Sequence, residues 1–329
     1  MEGIDISQRY ERGPRLGGGA MGEVWLVRDR VSGATVAMKT LHWTASESAR
    51  RFENEVALQS RLSHRAVPRV LDRGVDGAGM PWFTMDRVEG RTLAALLDDV
   101  RARHERGDAP IDHAWLLRIF VRVCRVVEHA HRRGVVHRDL KPENVMIDAN
   151  GDVHVIDWGL AELAGTKPEA RRGIVVGTPG YIAPELARGD GFTALASGDV
   201  FALGAILFEL VQLEPLYPQT HPLARLTAVL LDGDPLNGRV RNDLFTMLER
   251  VIRCAIARDP SARFASADAL ALAVELALAP SRRMTRAYAG LAAAAALGLL
   301  ALSPAIASAT EHDGDPTLVA MLTPDIRVG

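Results

Sequence analysis

Residues 135–145 read VVHRDLKPENV, and Asp157 follows thirteen residues after Asn144 in a second short run, VIDWG, at 155–159. Asp139, Lys141 and Asn144 can converge from one loop as a proton-accepting carboxylate, a cation and a side-chain oxygen. Asp157 adds a second oxygen donor at a strand end. Carboxylate and amide oxygens at that spacing suit magnesium, and a base beside a cation suits phosphoryl transfer to a hydroxyl.

Upstream, LGGGAMGEV at 16–24 places Gly17, Gly19 and Gly22 as GxGxxG between two strand-like segments. Glycines permit a tight hairpin whose N–H groups approach phosphate oxygens without side-chain clash. A dinucleotide-binding turn would continue as a helix, whereas EVWLV continues as a strand. The next strand, TVAMK, ends its apolar run on Lys39, 22 residues after Gly17. A buried ammonium needs a carboxylate. Of the two in RRFENEVALQSRLSH, Glu55, nine residues before the His64 read as closing that helix, is the expected partner, and Glu53 the solvent-facing neighbour.

Around these runs the chain divides in two. Residues 10–95 alternate like strands, with one helix expected from Ser46 to Leu62 on Phe52, Val56, Leu58 and Leu62. From 111 onward, Leu116, Ile119, Phe120, Val123, Val126 and Val127 recur at helical steps. The fold class is therefore α+β, a small β-rich lobe followed by a larger, mostly helical one. Between them LLDDVRARHERGDAP, 96–110, is highly charged and reads as a surface excursion.

The 329 residues carry 39 Lys plus Arg against 41 Asp plus Glu, a net charge of -2 that gives no reason to expect a nucleic-acid partner. Cys124 and Cys254 stand apart from each other and from any histidine cluster, which argues against a zinc site or a disulfide scaffold. The start, MEGIDISQRYERG, lacks the apolar core of a signal peptide. Residues 287–309 hold no charge, with Arg282, Arg283 and Arg286 before them and Glu311, Asp313 and Asp315 after. Such a run is long enough to cross a bilayer, and its flanks place the N-terminal side in the cytoplasm. The expected organisation is an N-terminal segment 1–9, a two-lobed domain 10–279 divided near residue 88, a basic segment 280–286, a membrane helix 287–309 and a short tail 310–329.

These motifs, spread from Gly17 to Arg263, resemble the protein kinase family, and specifically the bacterial relatives of eukaryotic Ser/Thr kinases. The resemblance covers residues 10–279 and implies ATP with Mg²⁺, or Mn²⁺, as cofactors, protein substrates, and dimerisation for autophosphorylation at a cell membrane. It implies catalytic roles for Asp139, Lys141, Lys39 and Glu55, metal binding by Asn144 and Asp157, and a nucleotide pocket of Leu16, Gly17, Gly18, Gly19, Ala20, Met21, Gly22, Val24, Ala37, Lys39, Met85, Asp86 and Val88. Met85 would be the gatekeeper, and Asp86–Val88 the hinge. In GTPGYIAPE, Thr178 would order the catalytic loop. Asp199 would brace that loop, and Arg263 would pair with Glu185; His137, Arg138 and Trp158 are further bracing residues. Lys141, with Thr178, points to the Ser/Thr class, and the whole segment from DWG to APE points to protein acceptors.

Three departures stand out. Trp158 replaces the usual phenylalanine, and Gln59, one turn after Glu55, replaces an apolar residue. The Trp158 indole is expected to bond the Gln59 side chain or a nearby backbone carbonyl; the alternative is that Gln59 turns outward and the indole bonds only backbone. The activation segment offers few acceptors; Thr166 is the expected phosphosite, with Arg138, and Arg171 or Arg172, receiving the phosphate. A pseudokinase scaffold is the alternative function, although Lys39, Asp139, Asn144 and Asp157 are all present.

Overall fold

A computed structural model describes residues 6–18, 22–41, 46–108, 110–166, 176–189, 195–231, 233–237 and 243–278. The chain forms two units, Met1–Ala277 and Leu278–Gly329. The expected membrane helix, 287–309, lies outside the described residues; no helix among those described is long and apolar enough to cross a membrane.

A four-residue helix α1 (Ile6–Arg9) leads into β1 (Tyr10–Gly18), β2 (Gly22–Asp29) and β3 (Thr35–Leu41), followed by α2 (Ser46–Arg61), β4 (Val70–Val75) and β5 (Pro81–Met85). The strands form an antiparallel sheet in the order β1-β2-β3-β5-β4. Because side chains alternate along a strand, the sheet builds two apolar layers. Tyr10, Val27, Val36, Met38 and Trp82 form one, and Leu41 and Phe83 meet Phe52 and Val56 of α2 in the other. Each fully buried Val, Leu or Phe contributes about 1.5 to 3 kcal/mol. Lys39 lies between Ala37 and Leu41 in the face shared with α2. Arg9, just ahead of the sheet, bridges Asp72 at 2.7 Å and Asp29 at 3.5 Å.

The second lobe begins with β6 (Gly90–Thr92) and α3 (Leu93–Arg106), then α4 (His113–His131), β7 (Val135–Val136), β8 (Val145–Asp148), β9 (Val153–Val155) and β10 (Glu162–Leu163). Helices α5 (Pro184–Ala187), α6 (Ala196–Gln212), α7 (Pro222–Leu230), α8 (Asp243–Ala255) and α9 (Ala267–Ala277) complete it. Helix α6 is buried from Gly198 through Val211 and forms the lobe's axis. All six apolar residues expected on α4 are buried. Two short sheets, β6-β8-β9 and β7-β10, carry the loops between α4 and α5.

The charged stretch 96–110 is not a surface excursion. Most of it belongs to α3: the Thr92 side chain caps the Ala95 N–H, Leu93 and Leu97 share the buried face, and Gly107 ends the helix at φ 71°. Its charges sit on the remaining faces. Helix α2 stops at Arg61, so His64 lies beyond the helix rather than closing it; its Nδ1 accepts from the Ala66 N–H.

Candidate active site

The loop 137–144 is shaped by one buried carboxylate. Asp199, on the first turn of α6, accepts the backbone N–H groups of His137 and Arg138, both at 2.8 Å, and meets His131 Nε2 at 2.8 Å. This bracing accompanies a left-handed backbone at Arg138, φ 68°, which a non-glycine residue adopts only at a cost. Burial works to raise the Asp199 carboxyl, but the bond from His131 prevails and leaves it lowered. His131 carried no signal in the sequence, being 68 residues from its partner.

Beyond the bend, Asp139 is held on both oxygens. Thr178 Oγ donates to Oδ1 at 2.6 Å, while Lys141 Nζ and Asn144 Nδ2 donate to Oδ2 at 2.8 and 3.2 Å. Lys141 also donates to Thr178 at 2.8 Å, and Asn144 to the Asp139 carbonyl at 2.8 Å. The carboxylate is thereby fixed at the cleft with a cation beside it.

Above it, Lys39 Nζ lies 2.6 Å from Glu55 Oε1 and 2.9 Å from Asp157 Oδ1. Glu53 is exposed on the far side of α2. Burial acts to lower the Lys39 pKa, yet the two facing carboxylates outweigh it and leave the ammonium raised. The attraction of Lys39 holds Asp157 down at about 2, so it is ionised. Asp157 has φ 60°, and Gly159 packs so closely that a β-carbon would lie 3.2 Å from Asp157 Oδ1 and Glu55 Oε2. Asn54, adjacent to Glu55, donates to the Ala161 carbonyl at 3.0 Å, a link that sequence reasoning missed.

Asp86–Val88, the expected hinge, follow β5, whose Met85 pairs with Ala37 of β3; Val24 pairs with Lys39. Arg69 clasps the Asp86 carboxylate at 2.8 and 3.1 Å. Leu16, Gly17 and Gly18 end β1 and Gly22 begins β2, while Gly19, Ala20 and Met21 lie outside the described residues. Trp158 and Gln59 do not meet. The indole donates to the Val155 carbonyl at 3.2 Å, and its ring lies 4.6 Å from that of His137. Gln59 does not turn outward either: it is buried and donates to the Pro68 carbonyl at 2.7 Å, with Met85 Sδ at 3.8 Å. The Pro68 carbonyl, in the connection after α2, thus takes the Gln59 amide N–H, and the indole N–H is satisfied by backbone alone. Arg263 makes a bidentate contact with Glu185, 2.7 Å on each branch, and Thr166 is exposed at the edge of the described segment. Arg171 and Arg172 lie outside it.

Residues 10–273 match the protein kinase domain. The chain belongs to that family. Among curated relatives, this kinase chain is 35% identical to a serine/threonine-protein kinase, PksC, of Streptomyces coelicolor, over 80% of its own length and 48% of the relative's. It is 32% identical to serine/threonine-protein kinase PknB of Mycolicibacterium smegmatis, over 80% of its length and 42% of the relative's. The kinase chain thus spans less than half the length of these relatives.

Proposed function

We propose that this chain transfers the γ-phosphoryl group of ATP to serine and threonine hydroxyls of proteins. The observation that carries this reading is the double anchoring of Asp139 by Thr178 and Lys141, beside an ionised Asp157 that faces Lys39. Asp139 would accept the hydroxyl proton and orient the oxygen for in-line attack. Lys141 would balance charge on the transferring group, and Lys39, steadied by Glu55, would hold the nucleotide's phosphates.

The donor set fits a hard divalent cation. Asp157 offers a carboxylate, and Asn144 bonds Asp139 through its N–H₂ group, which leaves the amide oxygen to act as a ligand. Mg²⁺, or Mn²⁺, held there would shield the phosphates of ATP. Leu16, the glycine hairpin, Val24, Ala37 and Met85 would enclose the nucleotide, and the Asp86–Val88 backbone would meet adenine. Support for serine and threonine comes from the Lys141–Thr178 contact and from the names of the relatives. The decisive test is phosphate transfer from labelled ATP with Mg²⁺ to a basic acceptor protein, followed by phosphoamino-acid analysis. Label confined to tyrosine, or no transfer, would refute the reading.

The membrane assignment belongs to the same proposal. Its support is the uncharged run 287–309 between arginines and acidic residues. Full-length chain should sediment with membranes and resist carbonate, while a chain ending at Pro280 should stay soluble. Soluble full-length protein would defeat the span.

A further inference from the structure

Arg138 was expected to await a phosphate, but it already faces a carboxylate of its own chain. Strand β10 pairs with β7 so that Glu162 stands opposite Val136, two residues before Arg138. The Arg138 Nη1 and Glu162 Oε2 atoms are 2.6 Å apart, with the side chains only 5% and 12% exposed. The contact is an ion pair rather than an aligned hydrogen bond. The main chain of Arg138 is pinned by Asp199, so its guanidinium is delivered to this place by the bend itself. A buried guanidinium requires a counter-charge, and here it has one.

Other features of the same segment agree. Of the three acceptors within the described part, Thr166 is exposed, whereas the Thr178 hydroxyl is committed to Asp139 and Lys141, and that of Tyr181 to Glu209 at 2.6 Å. The residue before Glu162, Ala161, receives the Asn54 bond from α2, one position from Glu55. Strand β10 is therefore tied on one side to the catalytic loop and on the other to the helix that presents Glu55 to Lys39.

We infer that Glu162 is the built-in counter-ion of Arg138, a positioning residue that holds the start of the activation segment, and through it α2, in the catalytic arrangement without phosphorylation. A phosphate on Thr166 would have to displace a resident carboxylate before it could use Arg138. The inference rests on the kinase reading above and adds its mode of regulation.

The test uses full-length protein, stripped by a phosphatase and checked by intact mass, with initial rates measured on a basic acceptor protein. Phosphate-free wild type should keep the kcat of untreated protein within about twofold. Glu162→Gln, the neutral isostere, should lower kcat about tenfold or more with KM for ATP little changed, and Glu162→Asp should recover part of the loss because it restores charge and not shape. A purely structural role would favour the isosteric glutamine over the shorter aspartate. If the Gln variant fails to fold, the phosphatase comparison on wild type decides alone. Activity that disappears with the phosphate overturns the inference and leaves the kinase reading standing, as does a Glu162→Gln enzyme as fast as wild type. Wild type inactive in both forms overturns the two together.

Discussion

The cleft contains two polar clusters that are assembled on very different scales of the chain. Asp139, Lys141 and Asn144 come from a single loop and are joined by Thr178, while Lys39, Glu55 and Asp157 come from a strand, a helix and a distant loop, with Lys39 and Asp157 118 positions apart. The first can be rigid by local geometry once Asp199 has set the bend. The second exists only while the lobes are packed as a whole, so it reports α2 and the DWG loop together. Changes in the first cluster should therefore stop chemistry and leave the fold alone; changes in the second should disturb both.

The largest effect is expected from Asp139→Asn, a loss of at least about 10²-fold in kcat. Nucleotide affinity and melting temperature should stay near wild type, because an amide can keep part of the contact set. Lys39→Met should cost kcat comparably, but with weaker ATP binding and a lower melting temperature, since Glu55 is left buried without its cation. Equal stability in the two variants, by calorimetry, would erase the contrast between the clusters. Gln59→Leu is next in size. It removes the bond to the Pro68 carbonyl and leaves that group unpaired, which typically costs about 1 to 3 kcal/mol, partly offset by the apolar replacement. Its kcat should change by no more than about twofold.

The smallest effect is on acid stability. Asp157 has a lowered pKa, about 2 against an ordinary 3.8. Its link to Lys39 therefore contributes fully above the unfolded value, and the contribution is lost as pH falls from about 4 toward 2. Melting curves of wild type and Asp157→Asn should converge over that window and remain parallel above it.

The same difference of scale explains what the sequence could reveal. The polar residues of the 137–144 loop, Lys39 with its Glu55 partner, and the change from a strand-rich to a helical lobe were legible because their spacing is local or their periodicity strong. Helix α3 was misread because its charges masked usable signals, Thr92 as a cap, Leu93 and Leu97 one turn apart, and Gly107 as a stop. The partners of Gln59 and Arg138, and His131 as a partner of Asp199, were not legible. Each depends on a carbonyl or side chain brought near by the fold, and no run of residues announces it.

Arg9 gives the small lobe a practical edge. The family match starts at residue 10, one position after the guanidinium that ties Asp29 to Asp72. Anyone trimming the protein to the family boundary for crystallisation or inhibitor screening would remove the clasp between the β2–β3 turn and β4. A cut placed before Ile6 keeps it.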